Sequence, residues 1–322
     1  MAEPDQDPPG EAGPAEGSQP DALGTRNTAG AWVEYAAYRV ALGGLSRMPF
    51  AWQRAFAGLV AWAGTRFERR HSEPGRRYIA QALGEELGEQ AIEDLLVAAW
   101  RHLVLVVLED AAVDRRVLAR GAILEHFDVQ LSDEVKAARD QGRGGFVVTP
   151  HVGMWEMLPV IAMNLGFRPG FVVSRPPKNR PLSRYTQRQR RRRGYDLIHP
   201  TGAVTGIKAA IEGGGWVGLM LDQRAQGKTV LAPFFGRPVR CLRTVPVLVS
   251  RLGRPVVFGA CYRTERPLHY RLVAERVLWP EQVRHRSPEE TAGLINQEIE
   301  RMIRAAPDQY LWLHDRFRGA PT

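Results

Sequence analysis

The spacing of apolar positions divides the chain into two regimes. Between residues 30 and 120, large apolar and aromatic residues recur at helical intervals. Residues 31–45 read AWVEYAAYRVALGGL and residues 51–67 read AWQRAFAGLVAWAGTRF, two aromatic-rich helices joined by Ser46-Arg47-Met48-Pro49. A longer apolar helix runs through residues 91–108. From residue 145 the pattern shortens. Apolar runs at 146–149, 171–174, 196–199, 216–221, 255–262 and 270–274 alternate with helical stretches at 154–166, 182–193, 203–212 and 243–252. Strands spaced by helices predict an α/β fold in which a sheet is layered with helices. A last helix over 288–305 opens with Ser287-Pro288-Glu289-Glu290, which supplies an N-cap, a proline at the first position and a capping-box glutamate.

Composition changes the picture at the N-terminus. Residues 1–29 hold six acidic residues and one basic one, are rich in Pro, Gly and Ala, and carry almost no large apolar group. Such a segment cannot bury enough surface to offset its ordering entropy, so a disordered acidic tail is expected over 1–29. It has neither the basic start nor the apolar centre of a signal peptide. The expected organisation is that tail, a helical region over 30–120 with possible membrane attachment, and an α/β core over 121–322.

Charge points to the partners. The chain carries +9, and taking away the tail's −5 leaves +14 on the remainder, which favours a polyanionic partner: nucleic acid, an anionic membrane or a phosphorylated ligand. No stretch reaches 18 uninterrupted apolar residues, so a conventional transmembrane helix is not predicted. Trp32, Tyr35, Tyr38, Trp52, Phe56, Trp62 and Phe67 suit a membrane interface, and they suit a buried helical hairpin equally well. Cys241 and Cys261 match no zinc or redox spacing, so no metal site or disulfide framework is expected.

Chemistry concentrates after the run at 146–149, where the chain reads TPHVGMWE. On one continuous helix His151 and Glu156 would be rotated by about 500°, or roughly 140° apart, and could not cooperate. They can meet if His151 lies in a strand-to-helix loop and the helix starts near Met154, with Gly153 giving the turn its latitude. A carboxylate on one ring nitrogen then fixes the tautomer and raises the basicity of the other, which makes a general base. No GxSxG elbow, HExxH motif or phosphate loop occurs, so a nucleophile is expected to come from a substrate. The loop at 173–181 carries Arg175, Lys178, Asn179 and Arg180, and the run Arg190 to Arg193 follows it. No Asp or Glu falls between Glu156 and Asp196, which favours an anion-facing role for these cations. Asp222 and Gln223 follow another strand end, where polar residues often line a site in α/β folds.

Taken together and in order, these elements resemble the bacterial lipid A biosynthesis (lauroyl/myristoyl) acyltransferases, a branch of the lysophospholipid and glycerolipid acyltransferase superfamily that includes phosphatidylinositol mannoside acyltransferases. His151 to Glu156 matches the H-x4-D/E signature. Arg175, Pro176 and Asn179 match the RP..N loop. Asp222-Gln223 matches the strand-end DQ, Phe234-Phe235-Gly236 the FFG element, and 310–314 the terminal W-x-H segment. The similarity spans roughly residues 31–318. Cys241 departs from it, standing where relatives often carry a small hydroxyl residue.

The resemblance implies a glycerolipid-acyltransferase-like core whose central, mostly parallel or mixed sheet is flanked by helices. It implies transfer of an acyl chain from an acyl carrier protein or coenzyme A thioester to a hydroxyl of a membrane lipid such as a lipid A precursor, in lipopolysaccharide biosynthesis. The thioester is a substrate, and no permanently bound cofactor is expected. His151 would be the general base and Glu156 would orient it. A backbone N–H near Gly153, or Arg175, would face the developing oxyanion. Arg175, Asn179, Arg190, Arg193, Asp222 and Gln223 would bind substrate. The expected partners are the donor, the lipid acceptor and an anionic membrane surface, at the cytoplasmic face of the inner membrane, with peripheral or monotopic attachment.

A basic nucleic-acid-binding protein is the main rival. It calls for stacking aromatics interleaved with the arginine run, and only Tyr185 and Tyr195 flank it. No nucleic-acid partner is therefore expected. A non-catalytic membrane-surface protein is the second rival, and the intact His151/Glu156 pair argues against it.

Overall fold

The computed structural model describes residues 23–320, apart from Ala122, Gln226 and the side chain of Arg120. Four helices come first: α1 (Ala29–Leu45), α2 (Phe50–Phe67), α3 (Arg69–Leu83) and α4 (Glu89–Arg116). Thr28 caps α1 by accepting from the N–H of Ala31, and Pro49 immediately precedes α2. The small residues Ala57, Ala61 and Gly64 form the buried stripe of α2, where Gly64 lets the Trp100 ring of α4 pack against the backbone.

The opposite face of this pair is open. Trp32, Val33 and Val40 on α1, and Trp52 (65% exposed), Leu59, Trp62 and Phe67 on α2, all stand in solvent. Among the described residues no helix is long and apolar enough to cross a membrane.

The core is a seven-stranded sheet of β1 (Phe127–Leu131), β2 (Gly145–Thr149), β3 (Gly170–Val173), β4 (Asp196–Ile198), β5 (Trp216–Met220), β8 (Val256–Arg263) and β9 (Tyr270–Leu278), in the order β1-β9-β8-β2-β5-β3-β4. Every pairing is parallel except β8 with β9. A separate antiparallel hairpin, β6 (Thr229–Phe234) and β7 (Arg237–Leu242), turns through Phe235 and Gly236, both at positive φ. Flanking helices are α5 (Asp133–Asp140), α6 (Leu158–Asn164), α7 (Arg180–Arg192), α8 (Ala203–Glu212), α9 (Thr244–Leu252), the short α10 (Pro280–Val283) and α11 (Pro288–Arg304). β2 is central and buried at every residue. Its alternate residues feed two apolar layers, with Phe146 and Val148 on one side and Val147 on the other.

The expected α/β sheet with an N-terminal helical region is the observed architecture. All six apolar runs are strands, and the capping box of the last helix is present, with Ser287 and Glu290 bonding each other's backbone N–H. Residues 1–22 of the expected tail lie outside the described residues. Arg26, within the same expected span, pairs with the chain at Lys178 to Arg180: its N–H donates to the Lys178 carbonyl at 2.8 Å and its carbonyl accepts from Arg180 at 2.9 Å.

Candidate active site

In-register parallel pairing of β2 with β5 sets Thr149 beside Met220. Neighbouring strands run about 4.8 Å apart, so whatever lies two residues past each strand end meets laterally. Those residues are His151 and Asp222. The His151 Nδ1–H donates to Asp222 Oδ1 at 2.8 Å, and the His151 backbone N–H donates to Oδ2 at 2.9 Å. One carboxylate thus grips both ring and backbone, at the carboxyl ends of adjacent strands where α/β sheets place their sites. With Nδ1 carrying the proton, the other ring nitrogen is the acceptor. It faces the amide of Gln223 at 3.3 Å.

The loop beyond His151 is fixed at each backbone N–H. That of Val152 bonds the Pro150 carbonyl, that of Gly153 the Gln309 carbonyl and that of Met154 the Cys261 carbonyl. Leu311 in turn donates to the His151 carbonyl. Gly153 sits at φ +58°, and a Cβ there would fall 2.0 Å from the Cys261 oxygen, so only glycine lets the loop lie this close to β8. All four N–H groups from His151 to Met154 are thus occupied, and none of them points free into the site.

Electrostatics favour a protonatable His151. Burial pulls its pKa down, but the charge and hydrogen bond of Asp222, aided by Glu156, outweigh burial and leave it above the ordinary 6.5. Burial likewise pushes Asp222 up, yet His151 and the more distant Arg316 hold it below 3.8. The sign follows for each. The raised histidine adds stability below pH 6.5 and loses it as pH rises through the folded value. The depressed aspartate adds stability above 3.8 and loses it as pH falls.

Glu156 does not do what its spacing suggested. Residues Trp155–Met157 form a 3₁₀ turn before α6, and the Glu156 carboxylate faces Arg190, 3.7 Å from its guanidinium. Arg190 also donates to Ser174 Oγ at 3.1 Å. The orienting partner of His151 in the structure is Asp222, and Glu156 acts on the ring only through its charge.

Other expected site residues divide sharply. His151, Glu156, Arg175, Arg190 and Gln223 line a cavity of about 360 Å³ whose walls are otherwise mostly apolar, including Met163, Phe167, Phe171 and Trp216. Asp222 lies buried behind His151. Arg193 and Asn179, expected to bind substrate, do not line this cavity. The Arg193 guanidinium is buried between Asp114 (2.8 Å) and Asp110 (2.6 Å) and locks α7 to α4. Asn179 caps α7, accepting from Leu182 and donating to the Ala31 carbonyl and Glu34. Trp155, which had not been singled out, stands edge-on to the His151 ring with centroids 5.3 Å apart. Its position four residues after His151 was the only available signal.

The rest of the FFG and W-x-H elements serve the fold. Phe234, Phe235, Tyr310 and Trp312 are buried in one aromatic cluster with Tyr78 and Phe317. His314 accepts from the Arg224 N–H at 3.4 Å, tying the chain after Asp222 to the C-terminal segment.

Comparison with known proteins identifies the family. The chain is 26% identical over 263 residues to the lipid A biosynthesis palmitoleoyltransferase of Escherichia coli (strain K12), covering 80% of this chain and 81% of that one. It matches the lipid A biosynthesis acyltransferase of Shigella flexneri to the same extent. The family model describing bacterial lipid A biosynthesis acyltransferases matches residues 25–319, from the strand-like Arg26 segment to the end of the aromatic cluster. The chain therefore belongs to the bacterial lipid A biosynthesis acyltransferase family.

Proposed function

We propose that this acyltransferase moves a fatty acyl chain from a thioester, borne by an acyl carrier protein or coenzyme A, to a hydroxyl of a lipid A precursor. What carries the reading is one observation: Asp222 holds the Nδ1–H of His151, so the basic Nε2 is presented at an apolar cavity that suits an alkyl chain.

In this reading Nε2 takes the proton of the acceptor hydroxyl as its oxygen bonds to the thioester carbonyl carbon. Asp222 stabilises the imidazolium that forms without itself taking a proton. The carbon–sulfur bond then breaks, and the thiolate leaves with the proton from Nε2. Charge on the carbonyl oxygen is opposed by Arg190, which Glu156 and Ser174 hold at the cavity wall. Arg175 and Gln223 flank the same opening and would orient the substrates. No covalent acyl-enzyme is needed.

The exposed aromatic face of α1 and α2 would rest in the interface of an anionic membrane, on the cytoplasmic side of the inner membrane, and bring the site to its lipid. The test is an incubation of purified protein with an acyl-carrier or acyl-coenzyme A thioester and a lipid A precursor, read by mass spectrometry. An acceptor heavier by one acyl group, lost in His151→Ala, supports the proposal. Thioester cleavage with no acylated lipid, or transfer that survives His151→Ala, overturns it.

A further inference from the structure

Beside the apolar cavity, and meeting it at Val173, Arg175, Leu219, Met220 and Gln223, lies a second one of about 780 Å³. Its lining is also largely apolar and differs in the charges it carries. Arg175, Arg224, Lys228 and Arg316 contribute four cations, and among the described residues that line it there is no carboxylate.

Arg316 is the unusual member. It is only 2% exposed, its Nη2 donates to Asn296 Oδ1 at 2.8 Å, and the guanidinium lies 4.0 Å over the Phe234 ring. Among the described residues its Nε and Nη1 have no hydrogen-bond partner. Desolvating a guanidinium with two donors unmet is costly, and removing that cost calls for an anion on those donors. Asn296 and Phe234 meanwhile hold the planar group in place, with Nε and Nη1 on different edges, each able to donate singly to an oxyanion.

Two helices reinforce the field. Residues 200–204, leading into α8, and residues 244–246, opening α9, both line this cavity. Neither helix has a side-chain cap on its first N–H groups. The N–H groups of Ala203 and Thr205 are already bonded within the turn and Pro246 has none, so the helix starts contribute partial positive charge beside a buried cation with two unmet donors.

We propose that this second cavity is a phosphate subsite, with Arg316 as its buried cation, and that it holds the phosphorylated arm of a substrate whose acyl-transfer centre is at His151. The identification of that arm rests on the acyltransferase reading above. Two sources share the chemistry: the phosphodiester of the donor's phosphopantetheine, and a phosphate of the lipid acceptor. A thioester lying across the junction would send its alkyl chain into the apolar cavity and its polar remainder toward Arg316, and an acceptor phosphate would make the same contacts.

Equilibrium titration of the full chain tests this without turnover, so a failed base assignment for His151 leaves the result intact. The probes are 4′-phosphopantetheine against pantetheine, and glucosamine 1-phosphate against glucosamine. At least one phosphorylated probe should bind tenfold or more tightly than its dephosphorylated partner, and which one does so names the source. Arg316→Gln should remove that preference and Arg316→Lys should restore part of it. Where Arg316→Gln fails to fold, the exposed rim pair Arg224→Glu/Lys228→Glu should weaken the same probe at least tenfold. As an independent readout, the bound probe should slow alkylation of Cys241, whose sulfur lies 3.5 Å from Arg316 Nη2. Equal affinity for phosphorylated and dephosphorylated probes overturns the proposal, as does a preference that Arg316→Gln, or the rim pair, leaves unchanged.

Discussion

Asp222 holds the imidazole of His151 with both of its carboxylate oxygens, one on Nδ1 at 2.8 Å and the other on the backbone N–H at 2.9 Å. The double contact fixes tautomer, ring plane and loop together. It also leaves Glu156, five residues on from His151, free to serve a different group.

The loop geometry depends on Gly153. A methyl group there would strike the Cys261 carbonyl and would have to sit at positive φ. Gly153→Ala should displace the His151 loop and lower transfer by at least about tenfold. Because the clash is with the backbone of β8, the melting temperature should fall together with the rate. Near-normal kcat/KM in this variant would show that the loop tolerates the shift.

Two arginines three residues apart should behave in opposite ways. Arg190 lines the cavity with Glu156 behind it, so Glu156→Gln and Arg190→Gln should cut kcat by about 10²-fold or more while melting changes little. Arg193 is locked between Asp110 and Asp114, away from the cavity. Arg193→Gln should cost roughly 1–3 kcal/mol of stability, less than a fully buried pair because both aspartates keep contact with water. Steady-state kinetics beside chemical denaturation separates the two. Equal effects on both variants would contradict the division.

The open face of α1 and α2 should govern attachment. Trp52→Glu together with Trp62→Glu replaces two exposed rings that make no core contact of consequence. Sedimentation with anionic phospholipid vesicles should fall several-fold, while turnover of a detergent-dispersed acceptor stays within about twofold. Undiminished vesicle binding would mean that another surface meets the membrane.

Much of this was legible in the chain, and the failures have physical causes. The six apolar runs became strands because each is a short apolar stretch bounded by turn residues, buried in the central strands and half-buried in β3 and β4. β1 escaped notice because three of its five residues are exposed, and β6 and β7 because Pro233 and Pro238 interrupt them, as proline does in hairpin strands that a core sheet would not accept. His151 and Asp222 were each visible as polar residues at strand ends. Their partnership was not, since it depends on β2 pairing with β5, a contact across 71 residues. Arg193 and Asn179 misled for the same reason. The stretch around them lacks acids, and the groups that engage them, Asp110, Asp114 and Glu34, arrive from the helical region far upstream.

The dependence of rate on pH tests the central claim, that an Asp222-held His151 takes the acceptor proton. His151 is raised above 6.5, so wild-type kcat/KM should fall on the acid side with an apparent pKa above that value. In Asp222→Asn the anion is gone and burial, which lowers the imidazole, dominates. The acid limb should therefore move to lower pH while the plateau drops on the order of 10²–10⁴-fold, because Nδ1 loses its fixed acceptor. An acid limb that stays in place in Asp222→Asn, with the plateau intact, would contradict the account.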